Sequence, residues 1–167
     1  PEMKKIFILL LFLNLLLPVE KKLFEVKEET DEKLVISFKL EDYEIETIEE
    51  YSTINIANSG TRSLIGEPLL PSFSSFVKLD KYKSYDIEYE VISQKEITDI
   101  NIMPLQSFEI SSNNDFIKNE GIYSSNDTYP AKNLYISDRQ AMRGIEFINL
   151  EVNPFVLTGE GNFLALD

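Results

Sequence analysis

The stretch that most constrains this chain is Gly66-Glu67-Pro68-Leu69-Leu70-Pro71, which runs directly into Ser72-Phe73-Ser74-Ser75-Phe76-Val77-Lys78-Leu79. A glycine permits backbone angles that a Cβ forbids, and each proline fixes φ and removes an amide donor. A helix cannot run through such a segment. It reads as a rigid, extended approach to a strand, with Phe73, Ser75, Val77 and Leu79 on one face and Ser72, Ser74, Phe76 and Lys78 on the other. Taken alone it is a proline-stiffened loop before an edge strand. Its weight comes from the punctuation that follows downstream at Tyr129-Pro130, Met142-Arg143-Gly144 and Val152-Asn153-Pro154-Phe155.

Alternation dominates the rest of the chain. Leu34, Ile36, Phe38 and Leu40 share one face of a strand, and Tyr43 to Glu49 forms a weaker one. Thr53 to Ala57 is a short β-rich run ended by Asn58-Ser59-Gly60. Tyr85, Ile87, Tyr89, Val91 and Ser93 alternate with Asp86, Glu88 and Glu90, which predicts a half-buried strand with its acids outward. Ile97 to Met103 places Ile100 and Ile102 inside and stops at Pro104. Leu134 and Ile136 form a further strand. Arg143-Gly144 leads into Ile145–Val152, and Gly159-Glu160-Gly161-Asn162 makes a tight hairpin turn to Phe163–Leu166. Gly144 is expected at a bend or bulge, with Arg143 beside an acid. Eleven Phe and eight Tyr suit strands. The expected fold is all-β, with about ten strands in an antiparallel sandwich or jelly roll.

Two segments depart from this pattern. Met3-Lys4-Lys5 followed by Ile6 to Leu17 matches the charged and apolar regions of a signal peptide. That run is shorter than the roughly 20 residues of a spanning helix, so no stable membrane span is expected after its removal. The expected division is a signal helix over residues 1–19, with Pro1-Glu2 preceding the start Met3, and an all-β domain over 20–167. Export follows, to a periplasm, a cell surface or the medium. The second departure is Ser107 to Asp127, where Ser, Asn, Asp and Gly replace the alternation. A loop of this length is functional or disordered.

Composition excludes several classes of chemistry. The chain has no cysteine and no histidine. A Ser/His/Asp or Cys/His mechanism and a zinc site on those ligands are therefore out of reach, and no catalytic residue, metal or cofactor is expected. The net charge of -13 argues against a nucleic-acid partner. Glu25, Glu28, Glu29, Asp31 and Glu32 lack the Asp-x-Asp-x-Asp-Gly order of a calcium loop and read as a solvated hairpin tip.

Taken in order, Gly66-x-Pro68-x-x-Pro71, Ile100-Asn101-Ile102-Met103-Pro104, Tyr129-Pro130, Arg143-Gly144 and Val152-Asn153-Pro154-Phe155 resemble the N-terminal propeptide of the gingipain family of secreted cysteine peptidases. The resemblance runs from about Leu34 to Leu166. It implies an all-β prodomain that keeps its peptidase latent and assists its folding, with the cognate catalytic domain as a partner in cis. The catalytic His and Cys would lie in that domain, not in this chain. The resemblance also implies an inhibitory loop after Pro104. Its candidate residues are Phe108, Ser111, Ser112, Asn113, Asn114, Asp115, Phe116 and Lys118, with Ile117 as a further anchor. In the gingipains a basic residue of that loop enters the substrate pocket. Glu109 to Asp115 holds no Lys or Arg, and Lys118 is the nearest. The target enzyme is therefore expected not to prefer basic side chains.

Two other functions compete. A secreted β-sandwich binding module, for carbohydrate or protein, fits the fold, although sugar modules usually display Trp and this chain has none. An enzyme built on paired carboxylates would need a cleft that the sequence does not reveal.

Overall fold

A computed structural model describes residues 23–40, 42–107, 116–158 and 163–166. The chain divides into two compact units, Pro1–Ser37 and Phe38–Asp167. The first unit contains β1 (Phe24–Glu29), which pairs with β2 (Leu34–Phe38) in a two-stranded sheet. Thr30 closes their turn: its amide donates to the Lys33 carbonyl at 2.8 Å, and its hydroxyl accepts from the Lys33 amide at 3.0 Å. Glu28 pairs with Lys33 and Glu25 with Lys27, all exposed, so these acids line a solvated hairpin.

The second unit is built from antiparallel sheets. Its largest has the order β5 (Gly60–Thr61), β6 (Pro71–Leu79), β10 (Ile145–Val152) and β8 (Leu134–Ile136), with β9 (Gln140–Met142) also on β10. Val77 faces Ile148 and Phe73 faces Val152 across β6 and β10. These four side chains are buried together with Leu79. Phe73, Val77 and Leu79, read from the sequence as sharing one face of this strand, are thus buried together, and β10 spans the expected residues. Phe76, on the outer face, meets Phe147 edge-on at 5.3 Å.

A second sheet has the order β11 (Phe155–Leu157), β12 (Phe163–Leu166) and β7 (Gln94–Ile97). Phe155 pairs with Ala165 and Leu157 with Phe163, so the expected strand Phe163–Leu166 is present and antiparallel to β11; the turn residues 159–162 lie outside the described residues. Every residue of β11 is buried, so this strand is covered on both faces. A third pair joins β3 (Glu44–Ile48) to β4 (Tyr51–Asn55). Tyr43, just before β3, packs edge-on against Phe155 at 5.2 Å. No helix among the described residues is long and apolar enough to cross a membrane.

Several expectations fail. Ile97–Met103 is not a strand: β7 ends at Ile97 and Ile100 is only half-buried, although Ile102 is buried as expected. Tyr85–Ser93 forms no strand, and its residues are exposed. No described strand pairs with it, and alternation stabilises nothing without a neighbour to receive the apolar face. The stretch from Ser107 to Asp127 is not uniformly irregular. It contains one helical turn, α1 (Glu120–Tyr123), capped by the Asn119 side chain, which accepts from the Gly121 amide at 3.1 Å.

Candidate functional site

The loop after Pro104 leaves and rejoins the fold at one place, and Gly66 is its centre. Gly66 is buried with φ at +86°. Its amide donates to the Leu105 carbonyl at 2.7 Å, and its carbonyl accepts from the Asn119 amide at 2.7 Å. One residue thus holds the outgoing and the returning stem. A Cβ at this position would lie 3.0 Å from Ile117 Cγ2 and 3.3 Å from the Asn119 nitrogen. Both backbone angle and space therefore call for glycine here.

Gln106 staples the two stems directly. Its Nε2 donates to the Ile117 carbonyl at 2.7 Å and to the Pro104 carbonyl at 3.0 Å, and its Oε1 accepts from the Ile117 amide at 2.9 Å. The outgoing stem is pinned on both sides. Leu105 donates to Glu67 at 2.8 Å and Leu69 to Met103 at 2.9 Å, while Met103 and Ser52 bond on the opposite edge at 2.9 Å. Pro68 faces Pro104 in an isolated antiparallel bridge, and both rings are fully buried, as is Ile102. The prolines lack amide donors, so they can be buried here without leaving an N–H unsatisfied.

Two tyrosines complete the frame. Tyr123 of α1 donates to the Ile102 carbonyl at 2.8 Å. Tyr129 donates to Glu67 Oε2 at 2.7 Å, and the same oxygen accepts from the Leu64 amide at 2.8 Å. The Tyr129 backbone exchanges both hydrogen bonds with Leu157 of β11, which ties the site to the core. Burial pushes the Tyr129 phenol up to about 12; the Glu67 carboxylate adds to this, and a hydrogen bond with Ser63 opposes it. Burial also raises the Tyr123 phenol.

Of the expected residues, the structure brings Gly66, Pro68, Pro104 and Tyr129 together around the loop root. Pro71 opens β6 and is buried against β5. Pro130 is buried behind a cis Tyr129-Pro130 bond. Pro154 is fully buried between β10 and β11, away from the root's hydrogen bonds. Arg143 and Gly144, with φ of +52° and +80°, form the two-residue turn between β9 and β10. Among the described residues Arg143 pairs with no acid. It is Arg139 that meets Glu146, at 3.0 Å.

Phe108, Ser111, Ser112, Asn113, Asn114 and Asp115 lie outside the described residues. Phe116 is half exposed and stacks on Tyr51 at 5.2 Å. Lys118 is engaged within the fold. Its ammonium lies 3.5 Å from Glu120 and 4.7 Å from the Tyr123 ring centre, with the side chain only 25% exposed. Sequence reasoning missed Gln106, Asn119 and Tyr123. No local pattern marks a glutamine that bonds a backbone eleven residues away, and Asn119-Glu120 is a helix start too short to show a period.

The sequence profile of the Propeptide_C25 family matches residues 23–158. Among curated proteins no sequence match is found. The fold is similar to that in a complex of the pro- and mature domains of RgpB from Porphyromonas gingivalis. The TM-score is 0.70 at 14% identity, covering 86% of this chain and 80% of that one. It is also similar to a structure of gingipain K from the same organism, one that addresses zymogenic latency. There the TM-score is 0.69 at 13% identity, covering 89% of each chain.

Proposed function

The chain belongs to the C25 propeptide family, and from that premise we propose that it holds the peptidase domain of its own precursor latent by presenting residues 107–116 to the active-site cleft. It is the prodomain of a gingipain-like peptidase and not itself a catalytic domain, as the resemblance in the sequence implied. The observation that carries the inhibitory reading is the double closure of the loop root. Gly66 bonds both stems, and the Gln106 side chain bonds one stem to the other. Holding both feet closes the loop before it meets a cleft, which removes that part of the ordering cost of binding. The same root supports a role in folding the peptidase, by offering it a preformed surface. Export with the peptidase is part of this reading, through the segment Met3–Leu17.

Lys118 is tied to Glu120 and Tyr123, so a basic probe from the described part of the loop is not on offer. This favours a target that does not require a basic side chain. The test is to titrate the precursor's peptidase domain with this chain and with a form whose Ser111–Asp115 is replaced by Gly and Ser. We expect inhibition by the first and a loss of at least about a hundredfold in the second, since loop anchors carry most of such affinity. Equal inhibition by both removes the loop as the inhibitory element.

A further inference from the structure

We propose that residues 85–93 are a strand-pairing edge, and that the residues running on from β12 in the precursor occupy it, antiparallel and in the register that β12 and β7 already share. This rests on the prodomain reading, in which a peptidase follows in the same precursor, and it adds a binding surface unrelated to the loop after Pro104. The partner is the stretch that leads out of the prodomain. β12 and β7 pair as Phe163 with Ile97, Leu164 with Glu96, Ala165 with Lys95 and Leu166 with Gln94. Continued past Leu166 with no shift, this register sets the next residues opposite Ser93, Ile92, Val91 and on toward Tyr85. Residues 83–93 lead into β7 without a turn or a bend, so no sharp change of direction separates the two.

The phase of the side chains agrees with that register. Ile97 and Lys95 of β7 lie opposite Phe163 and Ala165, both fully buried. Counting back by twos places Val91, Tyr89, Ile87 and Tyr85 on this same inward face, and Asp86, Glu88 and Glu90 on the other with Gln94 and Glu96. The exposures follow the same division. Tyr85, Ile87, Tyr89 and Val91 are 41% to 54% exposed, whereas Ile92, on the acidic face, is 88% exposed. A slip of one residue would turn the apolar row away from the core, so the pairing is specified and not merely permitted. No described strand pairs with this segment, and an apolar edge of that kind is a template for strand addition. Charge argues against a second copy as the occupant. Two such segments paired antiparallel with their apolar faces aligned would set the rows of Asp86, Glu88 and Glu90 against each other, in a chain of net charge -13. The continuation of β12 is already delivered to this edge by its own strand. It should carry apolar residues opposite Val91, Tyr89 and Ile87, and no acid opposite Glu88 or Glu90.

The experiment measures hydrogen exchange on three forms: this chain, the chain extended by about ten of the residues that follow it, the upper length of an ordinary strand, and the uncleaved precursor. In the extended chain and the precursor, alternate amides over residues 86–92 should exchange slower by on the order of a hundredfold than in the unextended chain, with Val77 unchanged. Tyr89→Pro in the extended chain should abolish that protection, because proline has no amide to donate and is excluded from a paired strand. In the unextended chain the same substitution should leave the thermal midpoint where it was. Equal exchange in all three forms overturns the proposal. Protection seen only in the precursor also overturns it, since the cover is then the peptidase domain. Protection of the unextended chain that grows with protein concentration assigns the edge to a second copy and overturns it too. The latency reading fails separately: a precursor that is active before cleavage but protected at residues 86–92 removes the inhibitory role and leaves the strand pairing standing.

Discussion

Residues 82–93 and residues 100–129 invert what their sequences suggest. The first has the clean alternation of Tyr85, Ile87, Tyr89 and Val91 against acids, yet it forms no strand and its side chains face solvent. The second loses all periodicity after Pro104, yet its described residues return through Asn119, Tyr123 and Tyr129 onto the frame that holds the buried Ile102 and Pro104. Alternation says that a segment could serve as a strand; it does not supply the neighbour whose backbone and side chains stabilise one. The described residues on either side of the loop are held instead by single hydrogen bonds from scattered residues.

The sharpest way to break this comparison is to empty its buried side. Ile102→Ala, at a position 1% exposed, should destabilise the domain by about 3 kcal/mol in urea unfolding, within the range for buried aliphatic truncations. Ile92→Ser in the exposed segment should change it by less than about 0.5 kcal/mol. Comparable losses at the two sites would mean that residues 82–93 are covered after all.

Gly66→Ala comes next, read against Gly144→Ala. Both glycines have positive φ, but a Cβ on Gly66 meets Ile117 and Asn119, whereas one on Gly144 meets nothing within 4 Å. The left-handed backbone alone should cost about 1 kcal/mol at Gly144, and crowding should raise the loss at Gly66 to about 2 kcal/mol. Equal losses would show that the root yields freely to the added methyl.

Gln106→Ala should cost about 1 kcal/mol or less in global stability, because its bonds lie near the surface. Its clearer signature is local. Hydrogen exchange at the Ile117 amide should speed up while that at Val77 stays protected. An unchanged rate at Ile117 would mean that Gly66 alone holds the stems.

The smallest effect is in alkaline pH. The Tyr129 phenol is raised from 10.0 to about 12, first by burial. A phenol with a raised folded value keeps its proton where the unfolded chain has lost it. The contribution is therefore full below about pH 10 and is lost as pH rises through about 12. Tyr129→Phe should make the fall in urea midpoint between pH 9 and 11 shallower. A slope identical to wild type would remove Tyr129 from the alkaline transition.

Some of the fold was written in consecutive residues. The faces of β6, the span of β10 and the hairpin of β11 and β12 each rest on side-chain period and turn chemistry within a dozen positions, so local physics was enough. The family could also be read in order, from Gly66 to Phe155, because glycine and proline constrain the backbone wherever they stand. The absence of Cys and His set the limits on chemistry. What only the tertiary structure decided is which segments meet. Gly66 came to lie against Ile117 because it donates to one stem and accepts from the other. Gln106 became a staple because its side chain has both a donor and an acceptor within reach of one backbone unit. Lys118 lies beside Glu120 and the Tyr123 ring because the chain turns into a helical turn directly after it. Each of these depends on a partner distant in sequence or on a geometry that no local period encodes, because a polar side chain or a bend has no meaning until the chain that satisfies it has arrived.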